Sequence, residues 1–132
     1  MTTKELIIKT NDINDLLSLY ANCKGIKYWH SRLLIERKIS SIEIPKIKKQ
    51  LVSKRKFEKR ITSPYIDLEK NRFSSKTREK KKAKKLYYAL SKNKSVSIIA
   101  KLIKHMDLQS KEYFEYVSGA DLSVFKKIQK LK

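Results

Sequence analysis

The sequence predicts an all-α protein: a small antiparallel helical bundle over residues 63–132, preceded by an N-terminal basic helical extension over 1–62. Three observations carry this expectation. Only 2 Gly and 2 Pro occur in 132 residues, which leaves few tight turns and favours long helices over many short strands. Apolar residues recur at helical spacing, most plainly at Val96, Ile99, Ile103 and Met106, with Ile98 and Leu102 widening the stripe. Residues suited to helix ends stand between the stripes: Asp12, Ser95 and Asp121 as starts, Gly25 and Gly119 as stops.

Taken in order, residues 2–10 fit either a short helix or an extended arm. Asp12 then caps a helix carrying Ile13, Leu16, Leu17 and Tyr20, closed by Gly25. A second helix is expected from Ile26 to Ser40, with Ile26, Trp29, Leu33 and Leu34 on one face and the lone tryptophan, Trp29, as a core anchor or, beside Tyr28 and His30, a base-stacking platform. Proline has no backbone N–H and clashes with the preceding turn, so Pro45 predicts a bend at Glu43–Pro45. The helix after it, to about Arg60, has a thin stripe of Ile47, Leu51, Phe57 and Ile61; it reads as a segment laid against a partner.

Ser63-Pro64 is a restart signal, with Ser63 as cap and Pro64 at the first helical position, followed by a short apolar patch of Tyr65, Ile66 and Leu68. From Lys76 to Lys92 a helix is expected whose first half is nearly all charge. Its second half packs through Ala83, Leu86, Tyr87 and Leu90. Asp107 to Ser110 reads as a turn before an aromatic helix of Tyr113, Phe114, Tyr116 and Val117. Asp121 opens a last helix of Val124, Phe125, Ile128 and Leu131.

The charge is concentrated. Residues 44–104 hold 21 Lys/Arg against 4 Asp/Glu, which accounts for 17 of the net +20. Lysine-rich helical faces are ordinarily solvated and interspersed with acids four residues away. Here Glu58 and Glu79 are the only acids within the two densest runs. Such self-repulsion calls for a polyanion. Duplex DNA carries about one charge per 1.7 Å of axis, so the block matches roughly 30 Å of duplex. The expected contacts are Arg32, Arg37, Lys38, Lys46, Lys48, Lys49, Lys54, Arg55, Lys56, Lys59, Arg60, Arg72, Lys76, Arg78, Lys80, Lys81, Lys82, Lys84 and Lys85. Lysine suits phosphates, whereas bidentate reading of base edges uses Arg, Asn or Gln, so recognition of backbone and shape is expected. The break at Ser63-Pro64 divides these residues into two cationic segments, which suggests a clamp.

Other chemistries lack their residues. His30 and His105 fall in different helices without a second ligand nearby, so no metal site and no cofactor is expected. Two glycines cannot build a phosphate loop. Asp67 and Glu69 lie two apart, on different faces of any helix, and make a poor acid–base pair. Tyr87 shares the face of Ala83 and Leu90, so packing is expected of it and not nucleophilic attack. Cys23 is the only cysteine, expected as a small buried hydrophobe. No enzyme is expected. The first 20 residues include Glu5, Asp12 and Asp15 and lack a long apolar core, so no signal peptide is expected. The longest apolar run, Leu86 to Leu90, is far short of the roughly 20 residues of a membrane span.

In plan, a small basic all-α chain with a bundle from about Ser63 and a helical extension containing Pro45 resembles the major coat proteins of enveloped filamentous DNA viruses of archaea (lipothrixvirus type). The resemblance rests on layout and on no single motif. It implies a virion protein that pairs with itself or a related coat chain and wraps linear double-stranded DNA. It also implies assembly into a helical filament beneath a lipid envelope. The alternatives are a non-polymerising chromatin-type or regulatory DNA binder, an RNA-binding subunit of a ribonucleoprotein, and a basic protein of membrane surfaces.

Overall fold

Eight α-helices and one 3₁₀ turn make up the regular structure of the computed structural model, described here over residues 3–62 and 76–131. They are α1 (Thr3–Lys9), α2 (Ile13–Asn22), the 3₁₀ turn Ile26–Tyr28, α3 (Trp29–Gln50), α4 (Lys54–Thr62), α5 (Lys76–Ser91), α6 (Val96–Lys104), α7 (Leu108–Ser118) and α8 (Ser123–Leu131). The fold class is all-α, as expected, and the helices form a bundle. No helix among the described residues is long and apolar enough to cross a membrane. The expectations for Ser63-Pro64, Tyr65, Ile66, Leu68 and Arg72 lie outside the described residues.

Helix starts follow from local chemistry. Asp12 Oδ1 accepts from the amides of Asn14 and Asp15 at 2.8 and 3.2 Å. Ser95 Oγ accepts from Ile98 N, and Asp107 Oδ1 from Ser110 N at 2.8 Å. Each satisfies an amide that the first helical turn leaves without a partner. Asp107 thereby begins α7 at Leu108, so the turn expected to reach Ser110 is shorter. Gly119 ends α7 at φ +77°, where a Cβ would stand 3.0 Å from Val52 Cγ1. Glycine is needed there for both the left-handed backbone and the close approach.

One core joins the two halves of the chain. Leu16, Ile35, Ile39, Ile44 and Ile47 from α2 and α3 are buried in the same cluster as Leu86, Leu90, Ile99, Ile103, Phe114 and Val117. Helix α3 packs on α1, α2 and α6; α5 packs on α6 and α7; α8 returns to α2. The boundary expected at residue 62 falls beside the segment outside the description, and helices on either side of it contribute to this single core.

Three expectations are corrected. Pro45 does not bend the chain apart; α3 runs through it to Gln50. The buried positions Ile39, Ile44 and Ile47 bracket the proline on one continuous packed face, and Pro45 itself points to solvent. Loss of one hydrogen bond is outweighed when both flanking turns are anchored. The chain turns instead at Leu51–Ser53, where Val52 N donates to Ser118 O at 2.9 Å. Second, the helix read as thinly apolar is well rooted: Phe57 and Ile61 are each 2% exposed. Third, Trp29 is no core anchor. It is 59% exposed and Ile26 is 89% exposed, because the 3₁₀ turn rotates that face outward before α3 begins.

Candidate nucleic-acid interface

The second basic segment of the extension becomes helix α4, KRKFEKRIT, and the sequence gives it one apolar pair at i, i+4. That pair decides its placement. Phe57 stacks on Tyr87 of α5, centroids 4.0 Å apart and rings 8° from parallel. The Tyr87 hydroxyl donates to Val52 O at 2.7 Å, which holds the approach to α4 against α5. Burial, with Glu58 and Tyr88 nearby, raises the Tyr87 phenol above its ordinary pKa. Arg60 Nη1 donates to Tyr116 O at 3.2 Å, tying the other end of α4 to α7.

Helix α5 buries Ala83, Leu86, Tyr87 and Leu90 on one side. Lys81, Lys84, Lys85 and Tyr88 recur at i, i+3, i+4 and i+7 and are all exposed on the other side. Lys80 and Lys82 flank them, half-buried. On α4, Lys54, Arg55, Lys56 and Lys59 are exposed. The two segments expected to lie apart as a clamp are neighbours: Phe57 on Tyr87 seats α4 beside α5, and Lys54 over the Tyr88 ring is where their exposed residues meet.

Electrostatically this face is uncompensated. The two helices carry twelve cations and two acids, Glu58 and Glu79. No ion pair among the described residues involves Lys54, Arg55, Lys56, Lys59, Lys81, Lys84 or Lys85. Lys81 and Lys85 are like charges at i, i+4, which costs a few tenths of a kcal/mol, about 0.2–0.5. Lys54, Arg55 and Lys56 also crowd the N-terminal turn of α4, where the helix dipole disfavours cations. A bound anion relieves both penalties.

Tyr88 is the aromatic member of the face, 40% exposed. The ammonium groups of Lys54 and Lys92 stand 5.8 and 5.5 Å from its ring centroid. These cation–π contacts bind a residue of α4 and one just past α5 to the same ring. Neither Tyr88 nor Lys92 was among the expected contacts. Their signal was the row Lys84, Tyr88, Lys92 at i, i+4, i+8, which continues the exposed stripe of α5 past its end.

The remaining expected contacts have different fates. Arg32 Nη1 donates to Cys23 O and Gly25 O at 2.9 and 2.8 Å, closing the turn between α2 and α3. Lys38 Nζ donates to Ile8 O, holding α1 on α3. Lys46 lies 3.8 Å from Glu43. Lys48 and Lys49 occupy the last turn of α3, where the dipole favours them. Arg37 is exposed on α3. Lys76 and Arg78 belong to the first turn of α5, and nothing further is described of their side chains. No family model matches the chain, and no match was found among curated proteins or solved structures.

Proposed function

We propose that the protein is a structural nucleoprotein, a viral coat subunit, that binds and wraps double-stranded DNA without sequence preference and polymerises on it into a helical filament. The observation that carries the reading is the α4–α5 pair, two neighbouring helices with twelve cations against two acids and, among the described residues, seven exposed basic side chains outside any ion pair. At one phosphate charge per 1.7 Å, twelve cations match about 20 Å of duplex, a coating footprint for a chain of this size. Lysine predominates on the face, which suits phosphates and not base edges. Self-association or pairing with a related chain, and residence in a virion, belong to the same proposal and rest on the resemblance in plan.

Electron microscopy of the purified protein with linear duplex DNA tests it. Regular filaments that form only with DNA are expected. Discrete complexes on one preferred sequence would make it a regulator instead, and preference for an A-form RNA helix would make it a ribonucleoprotein subunit. A salt titration supplies the second arm: six to ten phosphate contacts predict an affinity loss on the order of 10³–10⁵ between 50 and 200 mM salt. A flat response would remove the phosphate model.

A further inference from the structure

Away from the α4–α5 pair, helices α3, α6, α7 and α8 line an open cleft of about 540 Å³. Its size falls within the range of about 300–1,000 Å³ typical of small-ligand sites. Leu33, Ala100, Ile103, Phe125 and Ile128 give it an apolar lining. Arg37, Lys101, Lys104 and Lys111 bring four cations to it, against one acid, Glu36. Glu36 is already engaged: it accepts from the Tyr20 hydroxyl at 2.9 Å and lies 3.8 Å from Lys104. Lys111 is only 2% exposed and is held by Gln129, which leaves Arg37, Lys101 and Lys104 as the cations at the rim. A second cavity, about 770 Å³, shares Leu33, Glu36 and Lys104 with the first and is lined by Trp29 and Leu131.

We propose that this paired cavity binds a single-chain aliphatic carboxylate, a free fatty acid. The chain lies on Leu33, Ile103, Phe125 and Ile128, and the carboxylate meets Lys101, Lys104 and Arg37. The combination selects the ligand class. An apolar floor of this kind gives a polyanionic phosphate backbone nothing to pair with, and an uncharged hydrocarbon leaves the cations unused. The proposal is independent of the nucleic-acid reading, since it uses neither α4 nor α5.

Calorimetric titration of the full chain with monomeric dodecanoate tests it, with dodecanol as the uncharged control and emission of Trp29, the only tryptophan, as a second readout. One equivalent of dodecanoate is expected to bind, about tenfold tighter than dodecanol because the carboxylate takes charge-assisted hydrogen bonds. Ala100→Phe fills the cavity and is expected to weaken dodecanoate by at least about tenfold, since its chain loses the apolar floor. If Ala100→Phe does not fold, Ser97→Phe, at an exposed position on the rim, makes the same block. Lys101→Gln with Lys104→Gln is expected to bring dodecanoate down to the affinity of dodecanol. Lys81→Gln, Lys84→Gln and Lys85→Gln together are expected to leave it unchanged. Absence of binding, equal binding of the two ligands, equal binding by the blocked variant, or binding to anionic vesicles alone would each overturn the proposal.

Discussion

Helix α3 and the α4–α5 pair are built from the same basic side chains and use them differently. In α3, Arg32 closes a turn through two carbonyls and Lys38 caps the end of α1, while Lys46 faces Glu43. In α4 and α5, among the described side chains, Arg60 is bonded to Tyr116 O and Lys54 lies over the Tyr88 ring, while Lys81, Lys84 and Lys85 have no such duties. The difference comes from neighbours. Near α3 the chain doubles back and leaves carbonyls at helix ends that need donors. Along α4 and α5 the polar faces look outward, and nothing within the described chain answers their charge. Basic residues in the first region act as staples; those in the second stand exposed, and they are the cations the proposed function uses.

The sharpest way to break this contrast is at its anchor. Phe57→Ala removes the ring that stacks on Tyr87 and joins the two basic helices. A loss of about 3–5 kcal/mol is expected in urea unfolding, as for other buried Phe truncations. Duplex binding should fall with it, because α4 no longer holds its place beside α5.

Charge neutralisation on the outward face separates binding from folding. With Lys81, Lys84 and Lys85 all changed to Gln, the salt slope for duplex binding should drop by about 2.7 and affinity by on the order of 10²-fold. The urea midpoint should hold or rise slightly as self-repulsion is relieved. The reverse experiment is Arg32→Gln, which should cost about 1.5–3 kcal/mol through the lost charge-assisted bonds while leaving the salt slope unchanged. If Arg32→Gln flattened the slope instead, the division between staples and binding cations would be wrong.

The smallest effect concerns pH. Burial, then Glu79 and Tyr116, push the Tyr113 phenol from 10.0 up to about 12. Burial first, then the hydrogen bond to Glu36, raises Tyr20 above its ordinary value too. A phenol whose folded pKa is raised contributes stability that is complete below the unfolded value near 10 and is lost as pH climbs through the folded value. Stability should therefore be level up to about pH 10 and fall above it, with Tyr113→Phe making the fall between 10 and 12 shallower. Tyrosinate absorbance followed alongside circular dichroism checks it. At the acid end, bonds from the Ser123 amide and side chain hold the Asp121 carboxyl below 3.8, so its contribution is present above that value and fades below it.

Much of the helical layout was legible because it depends on neighbours a few residues apart. Asp12 and Ser95 cap where their spacing to the first apolar residue predicts, and Gly119 closes α7 in the left-handed conformation. The buried side of α5 follows from the period of Ala83, Leu86, Tyr87 and Leu90. The errors occurred where distant contacts outweigh a local rule. Pro45 is a breaker only when the turns around it are free, and here Ile44 and Ile47 are held. Phe57 and Ile61 looked too few to bury a helix, yet one aromatic stack and one hydroxyl bond to Val52 O suffice to seat it. Trp29 fails in the other direction, since the 3₁₀ turn sets its face outward.

By itself, then, the sequence determined that the chain is helical, which residues start α2 and α6 and close α7, and that its charge excess lies between residues 44 and 104. These are properties of composition and of spacing within a turn or two. Only the tertiary structure decided that the extension's helices share one core with the bundle, and that Phe57 on Tyr87 seats α4 beside α5. It also sorted Arg32 and Lys38 into staples. Burial and hydrogen bonding between residues dozens of positions apart control those outcomes, and no local period records them.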